Sequence, residues 1–460
     1  MELSKSIFRK NDIRGRVDNG ELSEELYELL GKAYGTFLLE NKVATKAVVG
    51  RDNRETSEKF AQAFIEGVLS TGVDVIDLGI ALSPMVYWSQ FSFDTGGSAM
   101  VTASHNSKEW NGLKISSGVG GVLSGEDLYK VVERSSFKQG IGQLTHNSVK
   151  EEYIKDLVSR INIEKELKVV VNTGNGTAGF IVPDLMRAAG VEVVEHNTKS
   201  DPSFPNYTPN PKDPQMVEDT GKMVLKNKAN FGLAFDADGD RLGLTDENGE
   251  FVPPDLCLIF LARDILKNKP ASSIVCDVLC SQAVKDEVEA LGGVLYTSPI
   301  GYFPIKQKML ESDAELAGEI SGHIYYKYNY YGFDDACFAA LNLIQYFSNQ
   351  EKSVSQLVAE LPKYESSPAY YINVGDSNKE QIVKSIIEEF KKQGLEILDI
   401  DGGKIIFPKY KGWGLIRQSN TSPSIVLRFE SKTKEGLGKI EGFFREKLER
   451  REVMGEWKAG

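Results

Sequence analysis

The chain has 460 residues and a formal net charge of -12, with charges of both signs scattered along it. This acidic balance argues against nucleic acid or an anionic membrane as a partner. The longest apolar runs, such as residues 256–262, are far shorter than the roughly 20 residues that cross a bilayer, and residues 1–15 lack the apolar core of a signal peptide. We therefore expect a cytoplasmic protein of several domains, monomeric or weakly dimeric.

Through the first three quarters of the chain, short apolar runs alternate with amphipathic helical patterns, which is typical of an α/β fold. The predicted strands are 46–50, 73–78, 98–102, 168–171, 191–195, 273–278 and 294–296. The predicted helices between them are 55–70, 181–189 and 282–291. The unit recurs at intervals of about a hundred residues, which predicts three similar α/β domains with mixed sheets.

After Pro368 the pattern changes to that of a smaller α+β domain. Its predicted strands are 370–374, two strands within 397–407 that turn at 401–403, 415–416 and 425–429, and its predicted helices surround Ile386 and cover 434–448. Prolines at 253 and 254 indicate a boundary before the third α/β domain. The predicted domains are 1–148, 149–252, 253–367 and 368–460.

The four cysteines do not form a metal-binding pattern. Cys276 and Cys280 have a suggestive spacing, but no second pair accompanies them and both lie in or just after an apolar strand pattern. We predict reduced, buried thiols.

The segment FDADGDR carries three aspartates at alternate positions, Asp236, Asp238 and Asp240, followed by Arg241. An EF-hand is one alternative, since Glu247 falls at its twelfth position, but Arg241 stands where that loop needs glycine and the flanks are strand-like. Three convergent carboxylates repel one another unless a cation lies among them. We predict a metal site, with Mg²⁺ favoured because the ligands are all oxygen.

Ser104 follows the predicted strand 98–102 in the segment TASHN. It has no G-x-S-x-G elbow around it, so hydrolase chemistry is disfavoured. Beside a cation a serine needs no triad, because phosphoryl transfer depends on alignment and charge neutralisation. We predict that Ser104 carries a phosphoryl group, and that a polar, turn-rich run up to Lys114 supplies donors and one cation.

Gly174, Gly176 and Gly179 form G-x-G-x-x-G after a predicted strand, with Glu195 at the end of the next one. This layout is that of a dinucleotide-binding fold, which would make the protein an oxidoreductase. The alternative is a tight turn with close helix packing. No hydride-transfer constellation accompanies the motif, which favours the structural interpretation.

Two later segments are rich in ligand-binding side chains. GEISGH contains Glu319, Ser321 and His323, which suit the hydroxyls of a sugar. RQSNTSP places a guanidinium, two hydroxyls and an amide on one loop, which suits a phosphate dianion; these groups belong to Arg417, Ser419, Thr421 and Asn420.

The order DIRG, GRDNR, TASHN, DADGDR, GEISGH and RQSNTSP resembles that of the α-D-phosphohexomutases, in particular the phosphomannomutase/phosphoglucomutase branch. The resemblance covers essentially the whole chain. It implies three similar α/β domains and a fourth domain of different fold around a central active-site cleft. It also implies interconversion of hexose 1-phosphate and hexose 6-phosphate, of mannose, glucose or both, through a phosphoserine and a hexose 1,6-bisphosphate, which also serves as activator.

Carried over residue by residue, the resemblance makes Ser104 the phosphoserine and a metal ligand together with Asp236, Asp238 and Asp240. The remaining roles it implies are steadying of the reacting phosphate by Arg14 and Arg241, acid–base catalysis by Lys114 and His323, sugar binding by Glu319 and Ser321, and phosphate binding by Arg417, Ser419, Asn420 and Thr421.

The chain departs from the family pattern at several positions that bear on sugar choice. Leu279 stands where a substrate lysine is expected, and Tyr302 replaces the histidine of the specificity loop. Ser107 replaces a proline after TASHN, and Asn11 replaces a tyrosine before DIRG. An active mutase is the favoured prediction, with a non-catalytic phosphosugar-binding relative as the alternative.

Overall fold

The computed structural model describes residues 4–419, 422–451, 453 and 457–459. The chain divides into two units: unit 1 comprises Met1–Asp264 and Ser321–Ala359, and unit 2 comprises Ile265–Ile320 and Glu360–Gly460. None of the helices in the described ranges combines the length and the apolar character that crossing a bilayer requires.

The first sheet of unit 1 has six strands in the order β1-β5-β4-β2-β3-β6. These are β1 (Ile13–Arg16), β2 (Lys46–Arg51), β3 (Asp74–Ile80), β4 (Gly97–Val101), β5 (Trp110–Ser117) and β6 (Leu144–His146). The accompanying helices are α1 (Glu24–Glu40), α2 (Ser57–Leu69), α3 (Ser83–Ser92), α4 (Gly125–Glu133) and α5 (Lys150–Val158), with a 3₁₀ turn at Lys5–Ile7. β4, β2, β3 and β6 are parallel, whereas β5 runs antiparallel to its neighbours β4 and β1.

Helices α1 and α2 pack closely because glycines face each other where they meet. A Cβ at Gly31 would lie 2.1 Å from the carbonyl oxygen of Phe64, and one at Gly67 would lie equally close to the Glu28 oxygen. Next to this contact the rings of Tyr27 and Phe60 stack with their centroids 4.4 Å apart. The apolar core between the helices and the sheet includes residues of β4, and the Ser104 loop begins at the carboxyl end of this strand.

The second sheet of unit 1 has the order β11-β10-β9-β7-β8. Its strands are β7 (Lys168–Asn172), β8 (Glu192–His196), β9 (Phe231–Phe235), β10 (Leu242–Thr245) and β11 (Phe251–Val252). Its helices are α6 (Val182–Ala188) and α7 (Pro214–Asn227), with a 3₁₀ turn at Thr177–Phe180. β9 is buried and pairs antiparallel with β10, so residues 236–241 form the short connection between them.

The third α/β segment has elements in both units. Helix α8 (Pro254–Asn268) begins in unit 1. Unit 2 contains β12 (Ser273–Asp277), which pairs in parallel with β13 (Val294–Ser298) and β14 (Leu316–Gly318), and the helices α9 (Gln282–Ala290) and α10 (Tyr302–Ser312). Unit 1 contains the antiparallel pair β15 (Ile324–Tyr326) and β16 (Phe333–Asp334), followed by α11 (Ala336–Ser348) and α12 (Val354–Ala359).

The C-terminal part of unit 2 is an antiparallel sheet of order β19-β20-β21-β22-β18-β23, with β17 also paired to β22. Its strands are β17 (Glu365–Ser366), β18 (Tyr370–Asn373), β19 (Ile397–Leu398), β20 (Gly403–Phe407), β21 (Gly412–Gln418), β22 (Ser424–Ser431) and β23 (Lys458–Ala459). Its helices are α13 (Asp376–Lys392) and α14 (Lys434–Glu449), with a 3₁₀ turn at Pro408–Tyr410. The helices contribute Phe390 and Phe444 to a core with Phe429.

The predicted fold class is confirmed: three mixed α/β sheets precede an antiparallel C-terminal sheet. All four cysteines are buried free thiols, as predicted. One local prediction was wrong, because the run expected to be turn-rich up to Lys114 contains strand β5. The strand pairs antiparallel with β1 on one side and β4 on the other, and this pairing stabilises it against its weak propensity.

Candidate active site

Ser104 lies on the loop directly after β4 and is buried. Its hydroxyl donates a hydrogen bond to Asp236 Oδ2 at 2.9 Å and lies 3.2 Å from His105 Nδ1. Its backbone has φ of +51°, in the left-handed region, and its N–H is held by Thr102 Oγ1 at 2.8 Å. Such strained residues concentrate at functional sites, because the surrounding structure must hold them in place.

A buried arginine, Arg54, holds the Ser104 loop from beneath. Its two terminal nitrogens donate to four loop carbonyls, those of Ser104 (2.7 Å), Asn106 (2.6 Å), Ser107 (2.7 Å) and Trp110 (3.1 Å). Its Nε donates to Asp52 Oδ2 at 3.0 Å. The sequence interpretation did not single out Arg54. The available signal was its place in GRDNR, a charged motif directly after a buried strand.

The three aspartates converge on the β9–β10 connection and are all buried. Asp236 Oδ1 accepts from the backbone N–H groups of Asp240 and Arg241, both at 3.1 Å. Asp238 Oδ2 accepts from Ser83 Oγ at 2.6 Å, at the start of α3. One carboxylate oxygen from each aspartate lies within 4.8 Å of the others, so the three can share a metal ion.

The residues present fit a divalent cation. Asp238 Oδ1 and Asp240 Oδ1 are buried and, in the described part of the chain, accept no hydrogen bond. Burial, and then the charges of Asp240 and Asp238, raise the pKa of Asp236 well above its usual value. A hard cation bound by these oxygens would satisfy the orphaned acceptors and remove the repulsion.

Lys114 projects from β5 into the aspartate cluster. Its Nζ lies 2.7 Å from Asp238 Oδ2 and also pairs with Asp240. Burial alone would lower the pKa of Lys114, but the two carboxylates outweigh it and raise the pKa above its ordinary value. The ammonium therefore places a fixed positive charge beside the three carboxylates.

The other site residues predicted in unit 1 lie at the same place. Arg14 Nη1 donates to Asn106 Oδ1 at 2.8 Å, on the Ser104 loop. Arg241 Nε donates to His323 Nε2 at 3.3 Å, and Ser321 Oγ lies 2.8 Å from His323 Nδ1. His323 Nε2 is also 3.3 Å from Asp240 Oδ1, so the imidazole contacts the aspartate loop.

Asp334 is a site residue that the sequence interpretation missed. Its Oδ2 lies 4.0 Å from His323 Nε2, and its Oδ1 is buried without a partner among the described residues. Burial and then the charge of Asp240 raise the pKa of Asp334 to about 7. An acidic pair in an otherwise apolar stretch, at 334–335, was the signal that could have found it.

Unit 2 brings together Glu319 and the start of the 301–302 loop. Glu319 is buried, and its Oε2 accepts from the N–H of Gly301 at 2.9 Å. Gly301 has φ of +115°, which a side chain would strain, and Tyr302 begins α10 directly after it. The predicted sugar-binding carboxylate is thus hydrogen-bonded to the predicted specificity loop.

Arg417 is tied to the same part of unit 2 through Asp401. Asp401 Oδ2 accepts from Arg417 Nε at 2.9 Å and from the N–H of Ile300 at 3.2 Å. Arg417 lies on β21, not on a loop as predicted, and Ser419 follows the strand end. Asn420 and Thr421 lie outside the described residues.

Leu279 is buried in an apolar cluster of unit 2 with Val278, Trp413 and Leu415. A lysine in that setting would be costly to bury. The apolar surroundings therefore suit the leucine that this chain has in place of the family's lysine.

The G-x-G-x-x-G segment is packed against the protein itself. A Cβ at Gly176 would lie 2.6 Å from Ala237 Cα, and one at Gly179 would lie 1.9 Å from the carbonyl oxygen of Thr198. Gly174 has φ of +54°. The glycines serve a tight turn and the close approach of the aspartate loop, which supports the structural interpretation.

Comparison with known proteins agrees with this geometry. Family models for the phosphoglucomutase/phosphomannomutase α/β/α domains I, II and III match residues 5–139, 151–249 and 253–364, and that for the C-terminal domain matches 357–447. A phosphomannomutase/phosphoglucomutase of Pseudomonas aeruginosa is 34% identical over 449 residues, covering 97% of this chain and 96% of that protein. A phosphoglucomutase of Neisseria meningitidis is 32% identical over 456 residues, covering 97% of each.

A solved structure of a phosphoglucomutase/phosphomannomutase family protein from Burkholderia thailandensis superposes with a TM-score of 0.92, at 32% identity and with 99% of each chain covered. The fold is thus that of a mutase-type enzyme, and the aspartate loop lies beside the buried serine within it. The chain belongs to the phosphoglucomutase/phosphomannomutase family, within the α-D-phosphohexomutases.

Proposed function

We propose that the protein interconverts the 1-phosphate and 6-phosphate of glucose, mannose or both. One observation carries the proposal: the buried Ser104 hydroxyl donates to Asp236 within a cluster of three carboxylates that fits a divalent cation. Full-length relatives named for the same two sugars support it. The Ser104 loop and the aspartate loop belong to one unit, so the contact between them is internal to that unit.

Ser104 acts as the carrier of the phosphoryl group. In the first transfer the bond between phosphorus and Ser104 Oγ breaks and a bond to the free sugar hydroxyl forms, giving a hexose 1,6-bisphosphate. The bisphosphate then reorients, its other phosphoryl group moves to Ser104 Oγ, and the isomeric monophosphate leaves. A bound Mg²⁺ would neutralise charge on the phosphoryl oxygens during transfer.

Positioned cations and donors surround the transferred group. Arg14 is fixed to the Ser104 loop through Asn106, and Arg241 is fixed by His323. Lys114 adds a charge beside Asp238 and Asp240. These groups hold the phosphoryl oxygens, which is the main work that a protein does in phosphoryl transfer.

Lys114 and His323 are the groups proposed to hold or release the sugar proton. In the first transfer the attacking hydroxyl gives up its proton, and in the second the leaving sugar oxygen takes one back. His323 has its Nδ1 held by Ser321 and its Nε2 beside Arg241 and Asp240, which orients the ring.

Unit 2 supplies the proposed recognition residues. Family resemblance assigns Glu319 and Tyr302, together with Ser321 of unit 1, to the sugar hydroxyls. Arg417 is assigned to the phosphate that is not reacting, because its Nη2 is buried with no partner in the described part of the chain. Ser419, Asn420 and Thr421 are assigned to the same phosphate by family resemblance. A hexose 1,6-bisphosphate as activator, a cytoplasmic location and a monomeric or weakly dimeric state remain predictions.

Replacing Asp238 by asparagine is expected to weaken Mg²⁺ binding and to lower turnover by about 10–100-fold or more. The amide keeps the shape and can still accept from Ser83, but it removes one negative charge from the cluster. Isothermal titration with Mg²⁺ and the Mg²⁺ dependence of glucose 1-phosphate conversion measure the two effects.

Asp213→Asn is the matched control, because Asp213 caps α7 and asparagine caps a helix equally well. It should leave Mg²⁺ affinity and turnover unchanged. Equal Mg²⁺ affinity in Asp238→Asn and the wild type would contradict the proposed metal site.

A further inference from the structure

The G-x-G-x-x-G segment, residues 174–179, is hydrogen-bonded to Asn53, which lies in GRDNR just after β2. Asn53 belongs to a connection of the first sheet, whereas the segment follows β7 of the second sheet. Asn53 and its partner Thr177 are 124 positions apart in the chain. Both sheets belong to unit 1, so the contact is internal to that unit and joins its two sheets.

Asn53 directs its N–H and both polar atoms of its side chain at the second sheet's connections. The N–H donates to Thr177 Oγ1 at 2.8 Å, and Asn53 Oδ1 accepts from the same hydroxyl at 3.1 Å. Asn53 Nδ2 donates to the carbonyl oxygen of Asn175 at 3.0 Å and to Ser200 Oγ at 2.7 Å. An amide nitrogen has two hydrogens and a threonine hydroxyl both accepts and donates, so these groups are fully used in a specific link between the two sheets.

On the second sheet's side, the link ends on a rigid turn that supports the aspartate loop, residues 236–241. Thr177 is fully buried, and Asn175 has φ of +65° with its N–H donating to the carbonyl oxygen of Asn197 at 2.7 Å. The backbone of Gly176 lies so close to Ala237 that a Cβ on the glycine would be 2.6 Å from Ala237 Cα. The position of this turn therefore limits where the aspartate loop can lie.

On the first sheet's side, the chain neighbours of Asn53 support the Ser104 loop. The N–H of Asp52 donates at 3.0 Å to the carbonyl oxygen of Val101, the last residue of β4. Arg54 donates to four carbonyl oxygens of the loop that follows this strand. Asn53 thus stands between the residues that hold the Ser104 loop and the turn that supports the aspartate loop.

We propose that Asn53 is a positioning residue of the mutase reaction, which together with Thr177 holds the Ser104 loop and the aspartate loop in register. This rests on the proposed function, in which a phosphoryl group on Ser104 lies against a metal ion bound by the aspartates. Asn53 acts through Arg54 on one side and through Gly176 on the other, not by touching substrate. Phosphoryl transfer depends on accurate alignment, so a looser register slows the transfer without removing any reacting group.

The test measures steady-state conversion of glucose 1-phosphate by Asn53→Ala, Thr177→Val and the double variant. Each single change should lower kcat by about 10-fold, with KM little changed. The loss is partial because the bond from Ser83 to Asp238 also joins the two sheets. The double variant should be close to the more severe single variant, because both changes break the same link and their effects do not multiply.

Two further variants serve as controls. Thr177→Ser keeps the hydroxyl that bonds Asn53 and should restore most of the turnover lost in Thr177→Val. Asn41→Ala is the matched asparagine change, because Asn41 Nδ2 donates at 2.9 Å to the carbonyl oxygen of Phe37 at the end of α1, within the first sheet's half of the unit. It should keep wild-type kcat and KM.

Hydrogen exchange followed by mass spectrometry gives a readout that does not depend on turnover. Asn53→Ala should exchange faster than the wild type in residues 102–107 and 174–179 but not in the buried strand β9. Wild-type kcat in Asn53→Ala, losses that multiply in the double variant, or exchange that rises equally in β9 would each overturn the proposal. A wild type without turnover would instead contradict the proposed function, and the exchange comparison would still decide whether Asn53 joins the two loops.

Discussion

Replacing Ser104 by alanine is expected to abolish interconversion of hexose 1- and 6-phosphates, with turnover lowered by at least about 10³-fold. The reason is that the hydroxyl carries the phosphoryl group, and no neighbouring side chain can substitute for a covalent carrier. Steady-state conversion of glucose 1-phosphate measures the loss. Peptide mass spectrometry should find phosphate on Ser104 in the wild type and none at this position in the variant.

The fold should survive this substitution. Among side chains, Ser104 Oγ contacts only Asp236 and His105 in the described structure, so alanine removes about one hydrogen bond's worth of stability. Ser107→Ala, in the same loop, is the control and should keep near wild-type turnover, because Arg54 holds Ser107 through its backbone oxygen. If Ser104→Ala were as active as Ser107→Ala, the phosphoserine mechanism would be wrong.

Arg54→Lys is expected to lower turnover by about 10²-fold while the protein stays folded. A lysine keeps a positive charge beside Asp52 but lacks the planar fork that reaches four loop carbonyls at once. The loop would then hold Ser104 less accurately against Asp236. The loss should fall on the maximal rate much more than on the apparent affinity for substrate, which steady-state kinetics separates.

Arg54→Ala should also lower the stability of the fold, since it leaves the buried Asp52 carboxylate without its guanidinium partner. Removing one member of a buried ion pair costs about 3–5 kcal/mol of unfolding free energy, which urea denaturation would detect.

Arg51→Lys is the matched control for Arg54→Lys. Arg51 pairs with the exposed carboxylate of Glu58, and exposed pairs contribute little, so this variant should keep wild-type turnover. Arg54→Lys with the turnover of Arg51→Lys would refute the positioning role.

The parts of the fold that the sequence predicted are those with strong local patterns. β9 is an unbroken apolar run before DADGDR, so both the strand and the loop were predictable. The strand pair at 397–398 and 403–407 was predictable from its turn at 401–403. The contact of Ser104 with Asp236 spans 132 positions in the chain, so no local pattern reveals it, and it was anticipated from the chemistry of the two segments and from the family resemblance.

Residues that act through distant backbone groups were not predictable. Arg54 lies 50 positions from Ser104 and binds carbonyl oxygens, which carry no sequence signal. Ser83 donates from the first turn of α3 to the Asp238 carboxylate, 155 positions away, and no local pattern joins the two residues. Lys114 was singled out as a cation, but its strand was missed because asparagine, glycine and lysine have low strand propensity, and β5 is stabilised by pairing with β4 and β1.

Two of the departures from the family pattern that bear on the predicted sugar recognition, Leu279 and Tyr302, lie in unit 2. Leu279 is buried with Trp413 and Leu415 and offers no charge to a substrate. Glu319 and the Gly301–Tyr302 turn are joined by a hydrogen bond from the Gly301 N–H. These two features make the relative rates on glucose, mannose and glucosamine phosphates the informative comparison.

Phosphorus NMR tests the central claim most directly. The purified protein is mixed with Mg²⁺, a trace of glucose 1,6-bisphosphate, and glucose, mannose or glucosamine 1-phosphate in turn, beside Ser104→Ala. We predict that the wild type, and not the variant, converts the signal of glucose or mannose 1-phosphate into that of the 6-phosphate. Absence of a 6-phosphate signal with all three sugars, while the protein still binds them, would contradict the mutase assignment.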